Sequence, residues 1–337
     1  MGGGVWFGHN VGVIRTRLCD LLGIEYPVAL GGMPTAYNTP ALTAAVSEVG
    51  GIGIIGCADL DPAEIRRVGA EVRSRTAKPF GLNALLFLDD RAGYAAMLDA
   101  GPVLVSLSWP RKDQDVAVWV EMAHGVGSKV SVMAADVEDA VRGAEAGADV
   151  IVAQGTEGGG HVGWMGLSVL LPLVVDAVAP LPVVAAGGIA DGRGLAAALA
   201  YGAEGVLLGT RFLATAESGL HPNHKAAIVH SDGHDTVLTE IPDIITGSNW
   251  PGAMSRVKRN QLIDRWAGQE WRLRENQANA AASVTDARRV GDIDEAPLFY
   301  GQDAGLITDL PPAADIVTRI VTEAEAIIHT RLTSLTD

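Results

Sequence analysis

Ala148-Asp149-Val150-Ile151-Val152-Ala153-Gln154-Gly155-Thr156-Glu157-Gly158-Gly159-Gly160-His161-Val162-Gly163 decides the reading of this chain. Its first part is a short apolar run that reads as a buried strand. Its second part gathers five glycines around one amide, one carboxylate and one imidazole. Flexible linkers do not open from a buried strand, whereas glycines that let backbone approach a ligand usually follow one. His161 can serve there as acid, base or hydrogen-bond donor, because an imidazole ordinarily titrates near neutrality. Glu157 reads either as a base or as a carboxylate that caps local N–H groups.

Outward from this stretch the same pattern repeats. Apolar runs at 26–30, 53–55, 80–85, 103–107, 130–133, 150–152, 183–185 and 206–208 read as strands, and helical patterns lie between them at 40–49, 62–74, 91–100, 113–125, 137–146, 167–178 and 192–200. The first strand is expected to stop at Gly31-Gly32-Met33, and residues 15–22 to form a short helix before it. Several helices end in glycine before the next strand. Strands buried on both faces and alternating with helices point to a parallel sheet, and eight such units to an α/β (β/α)8 TIM barrel, with a doubly wound open sheet as the alternative. The Gly51-Ile52-Gly53-Ile54-Ile55-Gly56 run matches a dinucleotide fingerprint in letters only. It follows a helix and contains a strand, so its glycines are assigned to a crowded strand entrance.

The rhythm fails from 217 to 299, which reads as a helical lid subdomain inserted after the eighth strand, with the barrel formed by 1–216 and 300–337. A glycine-rich turn at 301–306 and an amphipathic helix over 311–333, with Ile316, Ile320, Val321, Ala324 and Ile327 on one face, complete the last unit. An insertion there sits on the catalytic rim.

The chain has 337 residues, a net charge of −15 and two cysteines, Cys19 and Cys57, which read as packing residues. Acidity argues against a nucleic-acid or anionic-membrane surface, and the cysteine usage suits a reducing cytoplasm. Residues 1–15 do not read as a signal peptide, and no apolar window is long enough to predict a transmembrane helix. His221, His224, His230 and His234 are expected at the surface and no metal is expected.

In a barrel the residues after each strand share one rim, so Gly31–Met33, Asn83, Gln154–His161, Gly187–Ile189 and Gly209–Arg211 are expected to converge. The loops after strands seven and eight, Gly187-Gly188 and Gly209-Thr210, expose backbone N–H groups and predict a bound phosphoryl group. Asp191 is expected to cap the helix after strand seven. Trp109 and Trp164 either line a substrate pocket or pack, and Arg256, Lys258 and Arg259 read as a solvated face rather than a site for a phosphorylated carrier.

The Gln154–His161 turn, the 183–189 run and Gly202-Ala203-Glu204-Gly205-Val206-Leu207-Leu208-Gly209-Thr210-Arg211-Phe212 resemble the nitronate monooxygenase (2-nitropropane dioxygenase-like) family of FMN-dependent TIM barrels. The likeness runs from Pro27 to the final helix and is weakest over 1–15 and 217–300. It implies FMN, with the phosphate held around Gly187, Gly188, Gly209 and Thr210 and with Leu207 and Leu208 also binding the cofactor. It also implies that Asn83 and Gln154 meet the ring or ribityl chain, Gly159 lies close to the cofactor and Gly32 and Met33 lie against the ring. His161 matches the family's active-site histidine. The implied reaction is oxidation of an alkyl nitronate by O2 to a carbonyl compound and nitrite. The Gly31-Gly32-Met33 loop also resembles FMN-dependent enoyl-acyl-carrier-protein reductases, so a thioester or quinone oxidoreductase using NAD(P)H is the alternative. Partners expected are a small-molecule substrate and O2 or NAD(P)H, with a homodimer compatible. A non-redox sugar-phosphate barrel would need a strand-end lysine or carboxylate pair, and no lysine is so placed.

Overall fold

The computed structural model describes residues 14–58 and 60–335; the reading of residues 1–13 lies outside them. Eight parallel strands close into a barrel in the order β1 (Val28–Pro34), β2 (Ile52–Gly56), β3 (Phe80–Leu85), β4 (Leu104–Ser108), β5 (Lys129–Ala134), β6 (Val150–Gln154), β8 (Val183–Ala186) and β9 (Gly205–Leu208). Closure of β9 onto β1, from Val28 opposite Val206 to Leu30 opposite Leu208, excludes the open sheet. β1 does not stop at Gly31: it runs on to Pro34, and its register against β2 slips between Leu30 and Met33, which places Gly31 and Gly32 in a bulge.

Ile52, Ile54, Leu104, Val150, Val152 and Val184 fill the barrel interior, together with Leu18, Cys19 and Leu22 of helix α1 (Arg17–Leu22). That helix therefore plugs the end opposite the rim. The other face of each strand packs under the surrounding helices α2 (Pro40–Glu48), α3 (Pro62–Arg75), α4 (Arg91–Asp99), α5 (Ala117–His124), α6 (Val137–Glu145), α7 (Leu167–Val178) and α8 (Gly192–Ala200). Side chains start several of them. Asp61 and Glu64 form a reciprocal capping box on α3, Asp136 caps α6, and Asp191 caps α8 by accepting from the Arg193 and Gly194 N–H groups. The glycines of the 51–56 run are crowded as expected: a methyl on Gly53 would lie 2.1 Å from the Thr43 carbonyl oxygen.

After β9 come α9 (Thr210–Leu213), α10 (Pro222–Val229), β10 (Thr236–Thr239), α11 (Ile241–Thr246), β11 (Met254–Lys258), α12 (Gln261–Trp266), α13 (Glu270–Glu275) and α14 (Gln277–Val290). The 217–299 segment is thus not wholly helical. β10 and β11 form a three-stranded antiparallel sheet with β7 (Gly160–Val162), the strand that carries His161. Ile241, Ile245, Val257, Leu262, Ile263, Leu273 and Val284 pack together in a cluster of their own behind it. The chain returns through a 3-10 turn, Gln302–Leu306, to α15 (Ala313–Ala326), whose Ile316, Ile320, Val321 and Ala324 are buried against the barrel.

Candidate active site

The rim loops meet at backbone distance, and glycine is what permits it. A methyl added at Gly32 would lie 2.4 Å from Asn83 Cβ, and one at Gly159 would lie 2.4 Å from the Tyr300 carbonyl carbon. Gly187 and Gly188 both take left-handed backbone, at φ +94° and +75°, and a side chain on Gly187 would strike the Gly155 carbonyl oxygen at 2.7 Å. Gly209 faces the Met33 sulfur. The loops after β1, β3, β6, β8 and β9 therefore converge as the barrel reading expects.

Their polar side chains divide into engaged and free. The Asn83 amide nitrogen donates to the Ser106 carbonyl and to the Ser106 and Ser108 hydroxyls, which uses its donors and leaves Oδ1 to accept. Gln154 keeps a buried Oε1 without a hydrogen-bond partner among the described residues. A buried, unpaired amide oxygen is costly, so it marks a place where a ligand donor belongs. Thr210 Oγ1 accepts from the Gly301 N–H at 2.9 Å and its hydroxyl reaches buried Asp303. Burial pushes the Asp303 carboxyl up to about 7. Leu207 lines the barrel interior, whereas the Leu208 side chain points into the outer core, so Leu208 presents only backbone to the rim.

His161 lies at the edge of this cradle. Its Nε2 is 2.7 Å from Asp243 Oδ1 of α11 and 3.0 Å from Ser255 Oγ of β11, and that hydroxyl donates to Asp243 Oδ2 at 3.1 Å. Ser255 pairs directly with His161 across the strands, which puts both side chains on one face. Trp250 stacks on the imidazole with ring centres 3.4 Å apart and planes 10° apart. Phe87 and Trp109 in turn contact Trp250, at 4.8 and 6.2 Å between centres. Asp243, Ser255 and Trp250 are functional candidates that the residue pattern did not single out.

Other expectations resolve here. Glu157 caps: both carboxylate oxygens accept from the Leu167 N–H that opens α7, at 3.0 Å each. Trp109 belongs to the aromatic wall, while Trp164 is 68% exposed. The solvated-face reading holds for Arg259, which is exposed, and needs correction for Arg256 and in part for Lys258. Arg256 is buried, donating to the Thr156 carbonyl and Thr236 hydroxyl, and burial lowers its pKa. Lys258 pairs with Asp235 and Arg259 with Asp264. His224 is likewise buried rather than superficial, and burial together with neighbouring His221 lowers its pKa. Among the described residues no His, Cys, Asp or Glu group could hold a metal ion. Cys19 and Cys57 are both buried and free, and burial pushes the Cys57 thiol up to about 12. No described helix is long and apolar enough to cross a membrane.

The nitronate monooxygenase family model matches residues 15–99 and 94–323, and so spans the barrel, the His161 turn and the inserted segment. The chain belongs to the nitronate monooxygenase family. Its relatives have diverged in name. A Rhodococcus jostii protein named (3aS,4S,5R,7aS)-5-hydroxy-7a-methyl-1-oxo-octahydro-1H-indene-4-carboxyl-CoA dehydrogenase is 32% identical over 92% of this chain and 96% of its own. The FabK structure from Thermotoga maritima superposes with a TM-score of 0.85 at 35% identity, covering 96% of this chain and 99% of that one. A nitroalkane oxidase structure from Streptomyces ansochromogenes gives 0.81 at 28%, covering 94% and 100%. Membership in this family makes the protein an oxidoreductase acting on a small molecule.

Proposed function

We propose that the protein is an FMN-dependent nitronate monooxygenase with His161 as its catalytic residue, and that 217–299 is the lid over its site. The observation that carries the substrate reading is the Trp250 stack on His161. With Phe87 and Trp109 in contact with Trp250, bulky aromatic side chains stand beside His161, which favours a compact substrate. Two of the cations that a phosphorylated carrier could use are engaged inside the protein, Arg256 with the Thr156 carbonyl and Lys258 with Asp235.

The rim fits the cofactor. Gly187, Gly188, Gly209 and Thr210 would hold the phosphate through backbone N–H groups, the unpaired Gln154 Oε1 and the Asn83 Oδ1 would accept from ring or ribityl donors, and Gly32, Met33, Leu207, Leu208 and Gly159 would supply the close backbone and apolar contacts. Bound FMN would supply the redox chemistry. The protein's own share is proton transfer and orientation: His161 takes the α-proton of a neutral nitroalkane, and only with that second proton on the ring does its free edge donate to the nitro oxygens of a nitronate.

The second reading is a thioester oxidoreductase using NAD(P)H, supported by likeness to FabK and to the CoA dehydrogenase over nearly the whole chain. An anaerobic titration of the purified protein separates them. Bleaching of the flavin band by propyl nitronate but not by NADH or NADPH is expected; rapid bleaching by nicotinamide overturns the monooxygenase reading, and protein that cannot be loaded with FMN overturns both. His161→Ala should keep FMN and lose at least about 100-fold in turnover.

A further inference from the structure

The hydrogen bonds around His161 fix where its proton sits. Ser255 has one hydroxyl proton, and it goes to Asp243 Oδ2. The Asp243 carboxylate has none to give. The two atoms that flank His161 Nε2, Asp243 Oδ1 at 2.7 Å and Ser255 Oγ at 3.0 Å, therefore both offer lone pairs. Only an N–H at Nε2 satisfies them; a bare Nε2 would set lone pair against carboxylate at hydrogen-bond distance. Nδ1 makes no hydrogen bond to any described residue. Which ring nitrogen carries the proton follows from what the other must accept or donate.

We propose that Asp243 and Ser255 are positioning residues that hold neutral His161 in its Nε2–H form and reserve Nδ1 as the basic edge of the site. The three groups come from separate elements, β7, α11 and β11, and the cross-strand register of His161 with Ser255 keeps them in place. Trp250 covers one ring face and leaves the edges. This rests on the reading of His161 as a base toward a carbon acid. In that step the Cα–H bond of a neutral nitroalkane breaks, its electron pair moves onto the nitro group to form the nitronate, and the proton goes to Nδ1. The resulting imidazolium is held by Asp243 through Nε2–H. A nitronate supplied ready-made needs no such step.

The test uses the FMN-loaded full chain in two measurements. Long-range proton–nitrogen spectra of 15N-histidine protein, with His161 assigned by its loss in His161→Ala, should show protonated Nε2 and bare Nδ1 in the wild type, and a mixed or reversed tautomer in Asp243→Ala. Turnover of nitroethane should fall about 100-fold in Asp243→Ala and about 10-fold in Ser255→Ala, while turnover of propyl nitronate changes less than about 5-fold. A wild-type proton on Nδ1, an unchanged tautomer in the variant, or equal losses on both substrates overturns the proposal. If Asp243→Ala does not fold, the wild-type spectrum and the Ser255→Ala substrate ratio decide it. If the wild type turns over neither substrate, the functional reading fails, while the nitrogen spectrum still decides the tautomer.

Discussion

The two halves of the site are built by different means. The cradle after β6, β8 and β9 is made of backbone held at close approach by glycine, on strands whose both faces are buried. The surroundings of His161 are made of side chains, Asp243, Ser255 and Trp250, brought in by the 217–299 segment onto a three-residue strand. The first design tolerates almost any neighbouring side chain but no Cβ. The second tolerates backbone adjustment but depends on side-chain identity. One part of the rim thus fits a ligand shared across a family, and the other part is where relatives with different reactions can differ.

Substitutions can break this contrast. The largest effect should come from the cradle. Gly188→Val forces a β-branched residue into left-handed backbone with its Cβ 3.1 Å from Glu157 Cβ. Displacing two charge-assisted donors at about 1.5–3 kcal/mol each should weaken FMN binding on the order of 100-fold or more. Flavin fluorescence titration checks it, with far-UV dichroism expected unchanged; full occupancy would mean that the phosphate lies elsewhere.

Trp250→Ala tests the other half. It removes the ring contact with His161 and opens space beside it, so bulkier nitronates should gain relative to propyl nitronate, by about 10-fold in kcat/KM, with FMN retained. Unchanged selectivity would remove Trp250 from the pocket wall.

Asp303 joins the halves under Thr210, and its effect depends on pH. Its folded pKa is raised by burial to about 7. Across the range from about 4 to 7 the folded state therefore holds a proton that the unfolded state has released, and stability falls as pH rises. Asp303→Asn removes this dependence. Calorimetry of flavin-free protein should find the variant gaining on the wild type between about pH 5.5 and pH 8, by about 2 kcal/mol. A constant difference would show that Asp303 is ionised throughout. The smallest effect belongs to the barrel wall. Asp61→Ala removes the α3 capping box and should cost about 1 kcal/mol in denaturant unfolding while leaving kcat alone.

Legibility in the sequence follows the same division. A strand buried on both faces is written in consecutive residues, so Val150–Gln154 and the helix Leu167–Val178 can be read directly, as can the Asp191 cap. The rim glycines are legible because the barrel's symmetry brings strand ends together from anywhere in the chain. Asp243 and Ser255 are not, because they reach His161 across 82 and 94 residues, one from a helix and the other through an antiparallel pairing, and no local period announces either. Gly160–Val162 has a strand's neighbours without a strand's composition, and the Gly31-Gly32 bulge hides a strand that continues. Arg256 looks solvated for the same reason: its acceptor at Thr156 lies 100 residues away.

The return segment after α14 ties these regions together. Gly301 donates to Thr210, Gln302 donates to the Glu157 carbonyl, and Tyr300 seats its backbone against Gly159. The inserted segment consequently re-enters the barrel through the loops that form the cradle, and it cannot come away as an independent piece without loosening them. Amide exchange should report this as one cooperative opening unit, with the N–H groups of Gly301 and Gln302 losing protection together with those of β11 and at a lower free energy than the barrel strands.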